Sequence, residues 1–131
     1  MKTPFGRFRI AEKIGGNLPP ETAFKSRKPA RASAKALRSH DLVMSRILWL
    51  DGLEPRNANT YARYIYIHGT NHEEALGEPA SHGCIRMRNT DVAALFDLVQ
   101  IDTKVIIAAA KAPGGRPRKG EKSVAPRGLH A

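Results

Sequence analysis

A mostly-β domain carrying one substantial helix is the fold class that this sequence predicts. Three observations predict it: several short runs of alternating or β-branched apolar residues, turn residues that punctuate those runs, and a single stretch with an apolar stripe at helical spacing. The chain has 131 residues, enough for one domain and too few for two good cores. Its hydrophobic fraction of 41% is ordinary for a globular protein. The longest apolar pieces, residues 47–50 and 105–110, fall far short of the roughly 18 consecutive apolar residues of a membrane span.

The elements follow in order. Residues 7–10 alternate and come after the turn signal Pro4-Phe5-Gly6, which predicts a short strand. Residues 21–40 carry six cations against one acid, Glu21, and read as a solvated loop with a short helix around 32–37. Residues 42–50 are rich in large and β-branched apolar side chains and end at the turn Asp51-Gly52. Residues 61–67 give the clearest strand, with Tyr64 and Tyr66 on one face and Ile65 and Ile67 on the other. Because both faces are apolar or aromatic, that strand is expected to be central. Residues 89–99 read as the helix. Asn89 or Thr90 can cap it, Asp91 suits the positive end of its dipole, and Val92, Leu95, Phe96 and Val99 form a core-facing stripe. Residues 104–109 read as a final strand. Residues 111–131 again hold six cations against one acid, Glu121, among prolines and glycines. Too little apolar surface is available there to offset ordering entropy, so a domain over 1–110 and a basic disordered tail are expected.

The formal charge of +10 favours anionic partners such as nucleic acid, acidic lipid or a wall polymer, and says nothing about fold. With one cysteine no internal disulfide can form, so Cys84 is either a small buried hydrophobe or a reactive thiol. Residues 1–4 are not followed by the apolar stretch of a secretory signal, so either the protein is cytoplasmic or the sequence lacks its real beginning.

One region departs from generic scaffold. Tyr66-Ile67-His68-Gly69-Thr70 closes a strand, and Ser81-His82-Gly83-Cys84-Ile85-Arg86-Met87 follows after a loop holding Gly77 and Pro79. Nucleophilic cysteine chemistry needs an imidazole that takes the thiol proton and later returns it to a leaving amine. The imidazole needs a partner on its other nitrogen, and the developing oxyanion needs fixed N–H donors. His68 at a strand end, with a backbone carbonyl near Gly69 to orient it, can be that base. Gly83 lets the backbone turn tightly and expose N–H groups beside Cys84. Arg86 and Arg88 raise the local positive potential, which favours thiolate and suits a substrate carboxylate.

These residues resemble the signature of the YkuD-type (ErfK/YbiS-like) L,D-transpeptidase catalytic domain. The sixteen-residue separation of His68 and Cys84 matches it, as do Thr3-Pro4-Phe5-Gly6-Arg7-Phe8 and the helix followed by Thr103-Lys104-Val105-Ile106-Ile107; the likeness covers about 3–108. The resemblance implies a β-sandwich or barrel-like sheet with one helix packed after the catalytic cysteine. It implies that Cys84 attacks a peptidoglycan stem tetrapeptide, releases D-alanine and holds a thioester until an amine acceptor resolves it. His68 would be the acid/base, oriented by the Gly69 carbonyl; His82 would support the site; N–H groups of Gly83 and Cys84 would form the oxyanion hole. Arg86 would hold the site's shape or bind substrate carboxylate, with Ser81 and Tyr66 also facing substrate. It implies a periplasmic or cell-envelope location and no cofactor. Family domains begin with further strands, so a chain truncated at its N-terminus is expected.

Other readings stay open. Water as acceptor would make the protein an L,D-carboxypeptidase, and a domain that kept the fold without activity would be a cell-wall binder. His68, His72, His82 and Cys84 could supply zinc ligands, but the usual zinc spacings are absent and no metal is expected. The basic segments suit anionic wall polymer, whereas no nucleic-acid recognition signature is present.

Overall fold

A computed structural model describes residues 2–77 and 83–108. Seven strands join in one sheet: β1 (Gly6–Ile14), β2 (Ala23–Lys25), β3 (Lys28–Ala30), β4 (Val43–Gly52), β5 (Tyr66–Gly69), β6 (Ile85–Met87) and β7 (Lys104–Ile107). Two α-helices, α1 (Ala34–Ser39) and α2 (Asn89–Leu98), and two 3-10 turns at Pro55–Asn57 and Glu73–Ala75 complete the regular structure of the described residues. The mostly-β fold expected from the sequence is the fold found. Its strands form an open sheet in the order β3-β2-β4-β1-β7, with β5 and β6 branching from β4. All pairings are antiparallel except that of β5 with β6.

β4 is the trunk of this sheet. It pairs with β1 through Ile47–Gly52, with β2 through Val43 and Met44, and with β5 from Met44 to Trp49. Residues 44–50 are buried without a break because both faces of the strand are covered. Side chains alternate between two clusters. Leu48 and Leu50 join Ile65 and Ile67, Phe8, Ile10, Ile85, Met87 and Ile107 under Val92 and Phe96 of α2. Ile47 and Trp49 join Tyr66 and Phe24 on the opposite side, where Cys84 packs. Two irregularities adjust this alternation: a register shift in β1 between Ile10 and Glu12, and one in β4 between Met44 and Ile47, where Ser45 is left-handed (φ 70°).

α2 forms as its stripe predicts, with its first residue preceded by Arg88 rather than capped by a side chain. Asn89 does not cap, because its amide donates to the Thr70 carbonyl at 2.9 Å and its backbone N–H meets Glu73 Oε2 at 2.8 Å. Glu73 thereby places a carboxylate at the positive end of the helix. At the other end Lys13 Nζ donates to the Val99 carbonyl at 2.7 Å and lies 4.2 Å from the Phe96 ring centroid.

Two expectations need correction. The strand expected over 61–67 begins only at Tyr66. Residues 61–64 turn instead, closed by Tyr64 N–H to the Tyr61 carbonyl at 3.1 Å, with Tyr64 left-handed (φ 57°). Trp49 causes this locally: it stacks on Tyr61 at 4.2 Å and donates its indole N–H to the Tyr61 carbonyl. The segment expected to be a solvated loop with one short helix holds the hairpin β2–β3 and then α1, capped by the Ser33 hydroxyl to Ala36 N–H. Phe24 buries itself on the sheet and anchors the hairpin. The short helix expected around 32–37 is thus found as α1. The tail over 111–131 lies outside the described residues.

Phe96 fills the contact between α2 and the sheet. Its replacement by alanine should cost about 3–5 kcal/mol, read as a lower urea midpoint at unchanged slope. A loss under about 1 kcal/mol would mean that α2 does not close this core.

Candidate active site

Period two along β5 fixes where its side chains point. Ile67 enters the core beneath α2, while Tyr66 and His68, two residues apart, share the other face. β6 runs parallel beside it, with Ile85 opposite Ile67 and Arg86 opposite His68. Cys84 therefore enters β6 beside Tyr66, and its Sγ lies 3.4 Å from the Tyr66 N–H and 3.3 Å from the Tyr64 carbonyl. The thiol packs on the Tyr66 face, diagonally across from His68. A parallel pairing made after a long connection thus brings two residues sixteen positions apart onto one surface.

His68 is buried, and its Nδ1 lies 2.5 Å from the Gly69 carbonyl. Nδ1 therefore carries the proton and donates to that oxygen, which leaves Nε2 as the acceptor. Burial holds the imidazole below its ordinary pKa, opposed by the Gly69 hydrogen bond and the Asp41 charge, and reinforced by Arg86. Burial likewise pushes the half-buried Cys84 thiol up. The Tyr66 N–H and Arg63 oppose that shift and Asp41 adds to it. Burial thus works against charge on both the Cys84 thiol and the His68 imidazole. Arg63, not Arg86 or Arg88, is the cation that acts on the thiol, and Arg86 is itself paired with Asp41.

Asp41 is the residue that sequence reasoning missed. Its Oδ1 accepts from the Thr70 hydroxyl at 3.0 Å and its Oδ2 pairs with Arg86 Nη1 at 3.0 Å. One carboxylate thus joins the segment after His68 to the strand after Cys84. Arg86 Nη2 also reaches the Ala75 carbonyl at 3.3 Å, so the guanidinium braces the intervening loop. Asp41 closes a basic segment and belongs to no motif, so nothing in the sequence pointed to it.

Two glycines are required by close approach. A Cβ on Gly69 would come within 2.0 Å of Asn89 Oδ1 and 2.8 Å of the Met44 carbonyl. Gly83 is left-handed (φ 87°), and a Cβ there would meet the Lys2 carbonyl at 2.8 Å. Of the predicted site residues, Tyr66, His68, Gly69, Gly83, Cys84 and Arg86 come together; Ser81 and His82 lie outside the described residues. His72 does not join them, since its ring bonds Glu74 and the His40 carbonyl. Among the described residues no group of three or more His, Cys, Asp or Glu is arranged to hold a metal ion, and no helix is long and apolar enough to cross a membrane.

A thiol and an imidazole thus share one face where β5 and β6 meet in an open, mostly antiparallel sheet. The model of the YkuD family, the L,D-transpeptidase catalytic domain, matches residues 1–107. The chain belongs to that family. It is 48% identical over 48 residues to YqjB of Bacillus subtilis (strain 168), covering 37% of this chain and 27% of that protein. It is 47% identical over 49 residues to YbiS of Escherichia coli (strain K12), covering 34% and 16%. It is 49% identical over 51 residues to ErfK/SrfK of Salmonella typhimurium (strain LT2), covering 36% and 16%. All three are named as L,D-transpeptidases, and the matched segments span about a quarter or less of their length. No solved structure matches the chain significantly.

Two outcomes follow from this geometry. Below the ordinary imidazole pKa of about 6.5, the unfolded chain takes up a proton that folded His68 refuses, so stability falls as pH drops. Melting temperature should decrease from pH 7 to pH 5, and less steeply in His68→Gln; equal slopes would mean that His68 is not held neutral. Gly69→Ala should cost roughly 1–3 kcal/mol by overpacking, visible as a lowered melting temperature, while an unchanged one would show that Asn89 yields freely.

Proposed function

We propose that this chain is the catalytic domain of a peptidoglycan L,D-transpeptidase with Cys84 as its nucleophile and His68 as its base. The observation that carries this reading is the shared face of β5 and β6, with the thiol against Tyr66 N–H and His68 fixed through Nδ1 so that Nε2 is the available acceptor. Family membership supports the substrate class.

The proton passes from Cys84 Sγ to His68 Nε2 as the thiolate attacks the carbonyl preceding the terminal D-alanine of a stem tetrapeptide. Burial disfavours charge on both partners, so the proton moves as attack develops and charge arises where donors can meet it. The oxyanion is received by the N–H groups of Gly83 and Cys84 in the left-handed turn at Gly83. His68 returns its proton to the departing amine, D-alanine leaves, and a thioester remains. An acceptor amine then attacks this thioester through the same imidazole, forming the new amide and regenerating the thiol. Arg86, held by Asp41 and the Ala75 carbonyl, keeps the two strands and their loop in register. His82 and Ser81 border the thiol in sequence. The exposed cations Lys25, Lys28, Arg31, Lys35 and Arg38 suit contact with anionic wall polymer. Peptidoglycan places the site of action in the cell envelope.

Incubation with a tetrapeptide muropeptide should add the acyl mass to the intact protein and release D-alanine, and Cys84→Ser should do neither. Adding an amine acceptor should consume the adduct with formation of a cross-linked product. Turnover in its absence would make the protein an L,D-carboxypeptidase. A cooperatively melting chain that yields no adduct would overturn the catalytic reading in favour of a wall-binding one. Alkylation by iodoacetamide should be slower than for free cysteine at pH 7 and rise with a midpoint above about 8.5; a midpoint below that value would show a thiolate at rest.

A further inference from the structure

The tip of the β2–β3 hairpin stands over the thiol's side of the sheet. Lys25 pairs with Lys28, so Ser26 and Arg27 form a two-residue turn with φ of 49° and 66°. That is the type I′ geometry, which glycine and asparagine adopt readily and Ser-Arg does not. Something other than turn preference holds it. The Arg27 guanidinium carbon lies 5.2 Å from the Trp49 ring centroid and 4.9 Å from that of Tyr64, and Nη1 donates to the Tyr66 hydroxyl at 3.1 Å.

This cation has no acidic partner within ion-pair distance among the described residues. Glu12, which acts on Arg27 only through space, accepts the Tyr61 hydroxyl. One hydrogen bond engages a group that carries five N–H donors. Arg27 also lines a cavity of about 410 Å³ with Phe24, Ser26, Val43, Ile47, Tyr64 and Tyr66, and supplies its sole charged side chain. Phe24, Ile47 and Tyr66 of that lining belong to the cluster in which Cys84 packs. A planar cation is thus laid on aromatic faces, partly dried, lacking a counter-ion and opening into a cavity beside the nucleophile.

We infer that Arg27 binds a carboxylate of the acyl-donor peptide, so that the domain selects donors bearing a free carboxylate next to the carbonyl that Cys84 attacks. The inference rests on the acyl-transfer reading above. Guanidinium matches carboxylate through two parallel N–H···O bonds, and the rings fix its plane before the donor arrives. The carboxylate can come from the terminal D-alanine or from the side chain of the third stem residue, and amidation separates these sources.

The test is calorimetric titration of the full chain carrying Cys84→Ala with a tetrapeptide whose carboxylates are free, and with analogues amidated at the terminus or at the third side chain. One of the two amides should bind about tenfold or more weakly, as loss of one charge-assisted pair requires, and its position names the source. In Arg27→Gln the free and amidated peptides should bind alike, and Arg27→Lys should restore part of the difference. Equal binding of all three peptides by the chain with native Arg27 overturns the inference whatever the variants do. So does an undiminished preference in Arg27→Gln. Acyl-adduct formation by native Cys84, measured alongside, separates the two readings: an adduct without carboxylate preference removes the inference and leaves the transpeptidase reading standing. A folded chain that neither binds peptide nor forms an adduct removes both.

Discussion

β4 and β5 are adjacent strands whose two faces meet different surroundings, and the rest of the structure depends on that difference. On one face Leu48, Leu50, Ile65 and Ile67 make a dry core with α2. On the other, Trp49, Tyr66 and His68 form a surface that the Cys84 thiol joins from β6. A one-residue slip would exchange the two faces and put an imidazole into hydrocarbon. The bulge at Ser45, the close contact of Gly69 with Met44 and Asn89, and the Asp41 bridge between Thr70 and Arg86 all bear on this register. They sit where β4, β5 and β6 meet, so scaffold and site are specified by the same contacts.

The electrostatics follow from the same placement. Burial disfavours charge on both His68 and Cys84, and the single acid acting on both, Asp41, is bound to Thr70 and Arg86. Desolvation is the largest influence on each, so this environment works against a thiolate–imidazolium pair.

The hairpin shows how a segment without a motif becomes part of a site. Phe24 anchors it in the Trp49–Tyr66 cluster, and Arg27 reaches over the rings of Trp49 and Tyr64. Its neighbours Lys25 and Lys28 stay exposed, so the hairpin presents positive charge outward and one ordered cation inward.

The sequence by itself determined the apolar richness of β4, the two-faced pattern of β5, the stripe of α2, and the identity of His68, Gly69, Gly83, Cys84 and Arg86 as an unusual set. Each is local: period two, period 3.6, or residue types whose chemistry needs one another. What only the tertiary structure decided is non-local. Tyr61 and Tyr64 carry the residue types of a strand, yet stacking on Trp49 turns their backbone away from the sheet. Residues 21–40 read as solvated because charge dominates them, but one buried Phe24 suffices to dock a hairpin. Asp41 and Arg27 carry no local signal at all. Their roles come from partners twenty-two to forty-five residues away, Arg86 and Thr70 for one, Trp49, Tyr64 and Tyr66 for the other. Neighbours along the chain set periodicity, but an ion pair or a ring under a guanidinium exists only once the sheet has closed those distances.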